Sequence, residues 1–494
     1  MATKKSTKKS PSTKTRTPSG ATTVSCWEDD PGVPANLPIT VPEPNQSAPP
    51  LAFKIGGVSP APAVYPAGTA NFRYYATAAA LRRTADFWAP IIPSRTNWHV
   101  GATLPVILDD GVDLNAFYTR GDFQEAPGLH FFHDTVAGKT YFSGESPDVC
   151  CHEMGHAVLD AIKPELFDAQ TIEVAAFHES FGDMSAILSA LQVASFRQKV
   201  LDDTGGTLNR ASRLSRLAEQ LGSAIRVGHP DSVDPDCLRN AANSFFYRDP
   251  QGLPPSAPAN ALSSEPHSFS RVFTAAFLDI LAGVTKVLNG APTTDDIAKA
   301  TEDTAGILVA AILGAPVTPD FYSQVAAQMI AASQTTPFNG KYKDVIRSAF
   351  VRRGILSLQA ATTVSSVNVK NIIPKAARAS RRSAAPVELP RASISAAAFG
   401  LLKNTLLVHT AEDPKRFAVT SAALTGGSIE PSTAQRAAES YTEDLFQRGR
   451  VEVGKYLHPE AGLVHPLPFR THFIVEEKGE FVLKRRSFEC GFDC

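Results

Sequence analysis

Residues Ser146 to Leu191, SPDVCCHEMGHAVLDAIKPELFDAQTIEVAAFHESFGDMSAILSAL, place five ionisable residues, His152, Glu153, His156, Glu179 and Asp183, on two consecutive apolar helices, which constrains the fold more than any other stretch. His152, Glu153 and His156 spell H-E-x-x-H, and a spacing of four puts both imidazoles on one helix face, where they can hold one metal ion. The helix has clear start signals: Ser146 as N-cap, Pro147 at the first helical position and Asp148 in the first turn. Pro164 closes it. Glu179 and Asp183, again four apart, lie on a second helix whose Ile172, Phe177, Met184, Ile187, Leu188 and Leu191 face a core, so the carboxylates need partners.

Zinc is the expected partner, because two His and one Glu leave the fourth position of a catalytic site to water. His152, His156 and Glu179 are the candidate ligands. Asp183 is expected to accept the remaining ring N–H of His152, and Glu153, between the ligands, is free to act as base. Taken singly, each of these residues is compatible with a satisfied polar group on an amphipathic helix; it is the set of five that points to a metal site.

The stretch resembles the thermolysin-like gluzincin zinc metallopeptidases. Asn115-Ala116-Phe117-Tyr118 is similar to that family's N-A-F-[WY] edge strand, which implies that Asn115 and Ala116 bind substrate main chain. His267 in SSEPHSFSRVFTAAFLDIL resembles the family's V-H-x-N-S-G-I helix start, implying an oxyanion-stabilising role, and Ser270 matches the family's Ser. Arg239 in DCLRN resembles the L-R pair that positions a substrate carbonyl, and DVIRSAFVRRGIL, residues 344 to 356, resembles the last helix. The resemblance runs from about residue 50 to 357 and implies an α+β fold, a thermolysin-like two-lobed zincin with an α+β N-terminal lobe and a mainly helical second lobe.

Three departures alter what it implies. Phe167 stands where the family has Tyr. Ala190 stands where it has an acidic calcium ligand, with only Asp148 surviving, so no double-calcium centre and indifference to calcium are expected. The interval from His156 to Glu179 is slightly longer than in thermolysin, and His178 replaces the usual Asn; Glu179, which has Asp183 four residues on, is expected to ligate, with His178 turned away.

The 494 residues carry a formal net charge of −1, with 43% hydrophobic residues, against a protein devoted to nucleic acid or anionic membranes. The longest apolar run, Gly306 to Val317, is too short to span a bilayer. Residues 1–48, rich in Lys, Thr, Ser and Pro, are expected to be a disordered tail, and no signal-peptide h-region follows the N-terminal lysines. A cytoplasmic protein is expected, with neither signal nor prosegment evident. Residues 49–160 read as the α+β lobe, 161–357 as the helical lobe, 358–395 as a linker with a basic run at Lys375, Arg378, Arg381 and Arg382, and 396–494 as a small C-terminal α+β segment of unknown role.

Within these spans, Asn71–Trp88 is expected to be a helix, and Leu104–Leu108 and Leu114–Tyr118 strands. Leu129–Phe132 is expected to pair with Lys139–Phe142 around Ala137-Gly138. Ser432 and Gln435 form a capping box opening a helix, and Phe473–Val475 with Phe481–Leu483 a hairpin around Lys478-Gly479. His130 and His133 read as surface or turn residues. Cys150 and Cys151 read as small packed hydrophobes, Cys26 as an improbable inhibitory thiolate, and Cys490 with Cys494 as a loop disulfide or a reduced pair.

The expected activity is zinc-dependent hydrolysis of peptide bonds by an endopeptidase acting on a peptide or protein substrate. The rival readings are a gluzincin-shaped zinc protein that binds peptides without turnover and a metal-free helical module. Oligomeric state is not readable.

Overall fold

The computed structural model describes residues 22–366, 389–413, 433–458 and 469–490. It is a mixed α+β structure. The first strands are β1 (Thr23–Trp27), β2 (Pro38–Pro42) and β3 (Phe53–Ile55), followed by helix α1 (Ala70–Trp88). Next come β4 (Leu104–Ile107), β5 (Ala116–Thr119), β6 (Gly128–Phe131), β7 (His133–Val136) and β8 (Lys139–Phe142). β3, β4 and β6 run parallel and β5 is antiparallel to β6. Leu104, Val106, Tyr118, Leu129 and Phe131 from this sheet are buried in the core shared with Tyr75, Ala78, Leu81 and Ala85 of α1. β3 and β4 alternate buried with more exposed positions, whereas β5 and β6 are buried along their whole length, as is most of α1, which places these elements at the centre of the core.

The chain then turns helical: α2 (Pro147–Ile162), α3 (Glu165–Asp168), α4 (Ile172–Ala190) and α5 (Ala194–Thr204). A short ladder of β9 (Arg216–Leu217) with β10 (Arg239–Asn240) encloses α6 (Glu219–Gly228). α7 (Pro266–Leu288), α8 (Thr294–Gly314), α9 (Phe321–Ser333), α10 (Lys343–Arg352) and α11 (Leu358–Ser366) complete the helical part. α4 lies against α2 on one side and α7 on the other. Phe177 of α4 meets Phe273 of α7 and Phe321 of α9 edge-on, each at 5.1 Å between ring centres, an arrangement that adds directional attraction to area burial.

The C-terminal segment builds a five-stranded sheet in the order β11 (Arg391–Ser395), β12 (Thr405–His409), β15 (Glu480–Arg485), β14 (His472–Glu477), β13 (Val451–Glu452), with the Ala434–Gln447 helix packed on β11. The hairpin expected around Lys478-Gly479 is formed, and both turn residues have positive φ, +52° and +85°, as a two-residue type I′ turn requires. One further strand, β16 (Ser487–Glu489), leaves this sheet and joins the first one as the antiparallel neighbour of β5.

Several expectations need correction. The span 1–48 is not disordered throughout: β1 and β2 form an antiparallel ladder, and Cys26 packs on Phe72 and Ala76 of α1. Alternating Val24, Cys26, Ile39 and Val41 supply an apolar face that an averaged composition hides. Lys139–Phe142 pairs with His133–Val136, not Leu129–Phe132, because the Ala137-Gly138 turn joins adjacent residues and leaves β6 to the main sheet. α11 and β11 form within the span expected as linker; its basic run lies outside the described residues, as does Ser432. Thr433 caps the last helix by accepting the N–H of Arg436.

Candidate metal centre

α2 begins as its sequence demands: Ser146 Oγ accepts the N–H of Val149 at 3.3 Å, with Pro147 at the first position. α4 begins at Thr171, whose hydroxyl accepts the N–H of Val174. Two glycines let the helices approach. A Cβ at Gly182 would lie 2.6 Å from His152 Cε1, and one at Gly155 would lie 2.7 Å from the Ser185 Cβ. Without them α4 could not bring Glu179 to the histidines.

Glu179 Oε2 lies 3.3 Å from His152 Nε2 and 3.6 Å from His156 Nε2. All three atoms are buried and without a well-formed hydrogen bond, which in a protein interior calls for an explanation. Ligands at bond lengths of about 2.0–2.1 Å on a tetrahedron stand roughly 3.3 Å apart. Glu179 Oε2 stands near that spacing from both imidazole nitrogens and all three atoms lie within 4.8 Å of one another, so His152, His156 and Glu179 could hold a metal ion.

Around them stands a second ring. Asp183 Oδ1 is 3.1 Å from His152 Nδ1 and also accepts an N–H of Arg239 at 3.0 Å, so Arg239, expected to meet a substrate carbonyl, is tied to the ligand support. His178 is turned away from Glu179, its Nδ1 lying 2.9 Å from His156 Nδ1. Both carboxylate oxygens of Glu153 are buried and unpartnered. His267, at the start of α7, has Nδ1 2.8 Å from Glu265 Oε1 and Nε2 3.2 Å from Glu179 Oε2. Ser270 Oγ donates to the carbonyl of His267. Phe167 is buried and offers no hydroxyl.

Charge in this pocket follows from burial and from who faces whom. Burial pushes Glu153 up to about 8 against the pull of His152. Burial drives His156 down to about 3, leaving the neutral imidazole that metal ligation needs. For His152 burial also disfavours the charged ring, but Asp183 and Glu179 outweigh it and raise it to about 9. Burial disfavours the Glu179 carboxylate, but the facing His267, with the rings of His156 and His152 beside it, outweighs burial and holds it well below the carboxylate range.

Sequence reasoning missed the group that fills the mouth of this site. Along β16 the ladder pairs Ser487 with Thr119, Phe488 with Tyr118 and Glu489 with Phe117, and the Cys490 N–H donates to the Ala116 carbonyl at 2.8 Å. The expected substrate-binding Asn115 donates to Glu489 Oε2 at 3.1 Å, and His267 Nε2 is 2.6 Å from the Glu489 carbonyl oxygen. Cys490 Sγ, a His152 ring nitrogen and a Glu153 oxygen all lie within 4.8 Å of one another. Cys490 carries no disulfide, and Cys494 lies outside the described residues. Cys26 sits apart from the site, under α1. The only signal in the sequence was the ECGFDC end, whose cysteines suggested a disulfide.

Asp148 is not isolated either. Asp30, from the segment expected to be disordered, and Glu219 stand with it, their ligand atoms within 4.8 Å of one another. His130 is buried, its ring nitrogens meeting Asp110 Oδ2 and the Ala126 carbonyl, and is neither a surface nor a turn residue. Among the described residues no helix is long and apolar enough to cross a membrane. Compared with known proteins, the chain matches no family model and no curated sequence.

Proposed function

We propose that this chain is a zinc-dependent endopeptidase of thermolysin-like, two-lobed architecture, with the cleft between β5 and the start of α7. The observation that carries the reading is the convergence of three buried, hydrogen-bond-orphaned ligand atoms from His152, His156 and Glu179. Bound there, zinc would supply Lewis acidity toward a carbonyl and lower the pKa of a water toward about 7. Glu153, buried beside the ligands and with both oxygens uncommitted, takes a proton from the attacking water and returns it to the leaving amine. His267 Nε2 faces the same space and donates to the oxygen on which negative charge develops. Glu265 caps α7 by accepting the Ser268 N–H and also accepts the Nδ1–H of His267; against burial, Glu179 and Glu265 hold the His267 pKa well above its ordinary value, so the ring is doubly protonated and Nε2–H remains a donor. The Ala116 carbonyl and the Asn115 amide hold an extended peptide as an added strand.

The alternative is a zinc protein that binds peptides without turning them over. Phe167, in place of a hydroxyl donor, favours it; the intact Glu153 opposes it. Zinc content and cleavage of an unstructured protein decide, compared between wild type and Glu153→Gln. Equal zinc with cleavage lost in the variant is expected, and equal cleavage would sink the reading.

A further inference from the structure

An extended substrate adding to the edge of β5 would run antiparallel to it, donate an N–H to the Ala116 carbonyl, and place its reacting carbonyl at His267 Nε2. Residues Ser487–Cys490 make each of these contacts. The strand is also firmly held. The Phe488 ring stacks on His178 with centres 3.7 Å apart and lies 5.2 Å from His156. Arg450 pairs with Glu489 at 2.7 Å, both buried, and Arg486 pairs with Asp122 and Glu452, each at 2.7 Å. Arg486 alone separates β16 from β15, so the C-terminal sheet delivers the strand directly into the cleft.

We infer that the C-terminal strand is a built-in inhibitor of this site, taking the path of a substrate along β5 while Cys490 Sγ takes the place of the attacking water. The inference rests on the endopeptidase reading and names its regulation. A substrate-like strand is a poor substrate here for a geometric reason. The sulfur stands close to both His152 and Glu153, in the space where Glu153 must hold a water. Tethering adds a second reason: a linked strand meets its site at an effective concentration on the order of mM, at or above the usual KM range of roughly 1 μM to 1 mM, so free protein competes weakly.

The test uses the full zinc-loaded chain as wild type, Phe488→Asp and Cys490→Pro. The first variant puts a charge against the His178 ring; the second removes the N–H that bonds Ala116, leaves Phe488 in place, and so covers the case in which Phe488→Asp fails to fold. Melting temperature and zinc content qualify each variant. Hydrogen exchange of the 487–490 amides reports whether the strand is seated, and cleavage of an unstructured protein reports activity. Expected are exchange at least about tenfold slower in wild type than in a qualified variant and cleavage at least about tenfold faster in that variant. Wild-type exchange as fast as the variants' would remove the seat, and a protected wild type cleaving as fast as the variants would overturn inhibition while leaving the peptidase reading standing. If no zinc-loaded variant with a released strand cleaves, the peptidase reading falls and inhibition falls with it.

Discussion

The Nδ1 atoms of His156 and His178 lie 2.9 Å apart, so one proton is shared along an axis pointing away from the Nε2 that faces Glu179. Burial lowers the pKa of both rings, so both are neutral, and on the proposed zinc reading His178 serves only to orient His156. His178→Ala should therefore keep stoichiometric zinc with affinity weakened about 10- to 100-fold, while Glu179→Ala should lose tight binding. Competition titration with a chelator measures both. Zinc lost from the His178 variant and retained by the Glu179 variant would reverse the ligand assignment.

On the endopeptidase reading, His267 acts where charge develops, so its removal should cost turnover more than binding. In the Cys490→Pro background, His267→Ala should lower kcat by about a hundredfold or more, roughly 3 kcal/mol, with zinc content unchanged. Unchanged kcat in a folded, zinc-loaded variant would show that His267 only supports its helix.

Arg239 and Asp183 form a buried pair at 3.0 Å. Arg239→Met leaves Asp183 with only His152 as a cationic partner, and breaking one side of a buried pair typically costs about 3–5 kcal/mol. The variant should unfold at markedly lower denaturant concentration. A small change in midpoint would mean that Asp183 is satisfied by other groups.

Glu173 is buried between the Tyr247 hydroxyl and the Tyr322 N–H, and burial pushes its pKa up to about 8 from an ordinary 4.5. The folded state then binds more protons than the unfolded state between these values. Stability from this group is full below about pH 4.5 and declines as pH rises toward 8, at up to about 1.4 kcal/mol per pH unit. Glu173→Gln removes the slope, so its stability relative to wild type should improve steadily from pH 5 to 8. Parallel wild-type and variant curves would contradict the burial argument.

The local rules carried far. The cap at Ser146, the four-residue spacings of His152 with His156 and of Glu179 with Asp183, and the Lys478-Gly479 turn depend only on neighbours within one helical turn or one hairpin, and a sequence states such neighbours directly. The need of these side chains for partners was equally legible, because an imidazole or carboxylate on an apolar helix face needs a partner wherever the helix lies.

What the tertiary structure alone decided involves partners far apart along the chain. Gly155 and Gly182 matter only because two helices cross there. Asp30 reaches Asp148 only because an N-terminal hairpin finds an apolar seat under α1. Ser487–Glu489 has too few residues for any periodicity to announce a strand, and its meaning comes from β5, more than 360 positions earlier. A sequence gives the strand β5 and the thiol of Cys490 as separate facts; only folding, by pairing backbone groups that would otherwise be left without hydrogen bonds, puts the one against the other at the mouth of the candidate metal site.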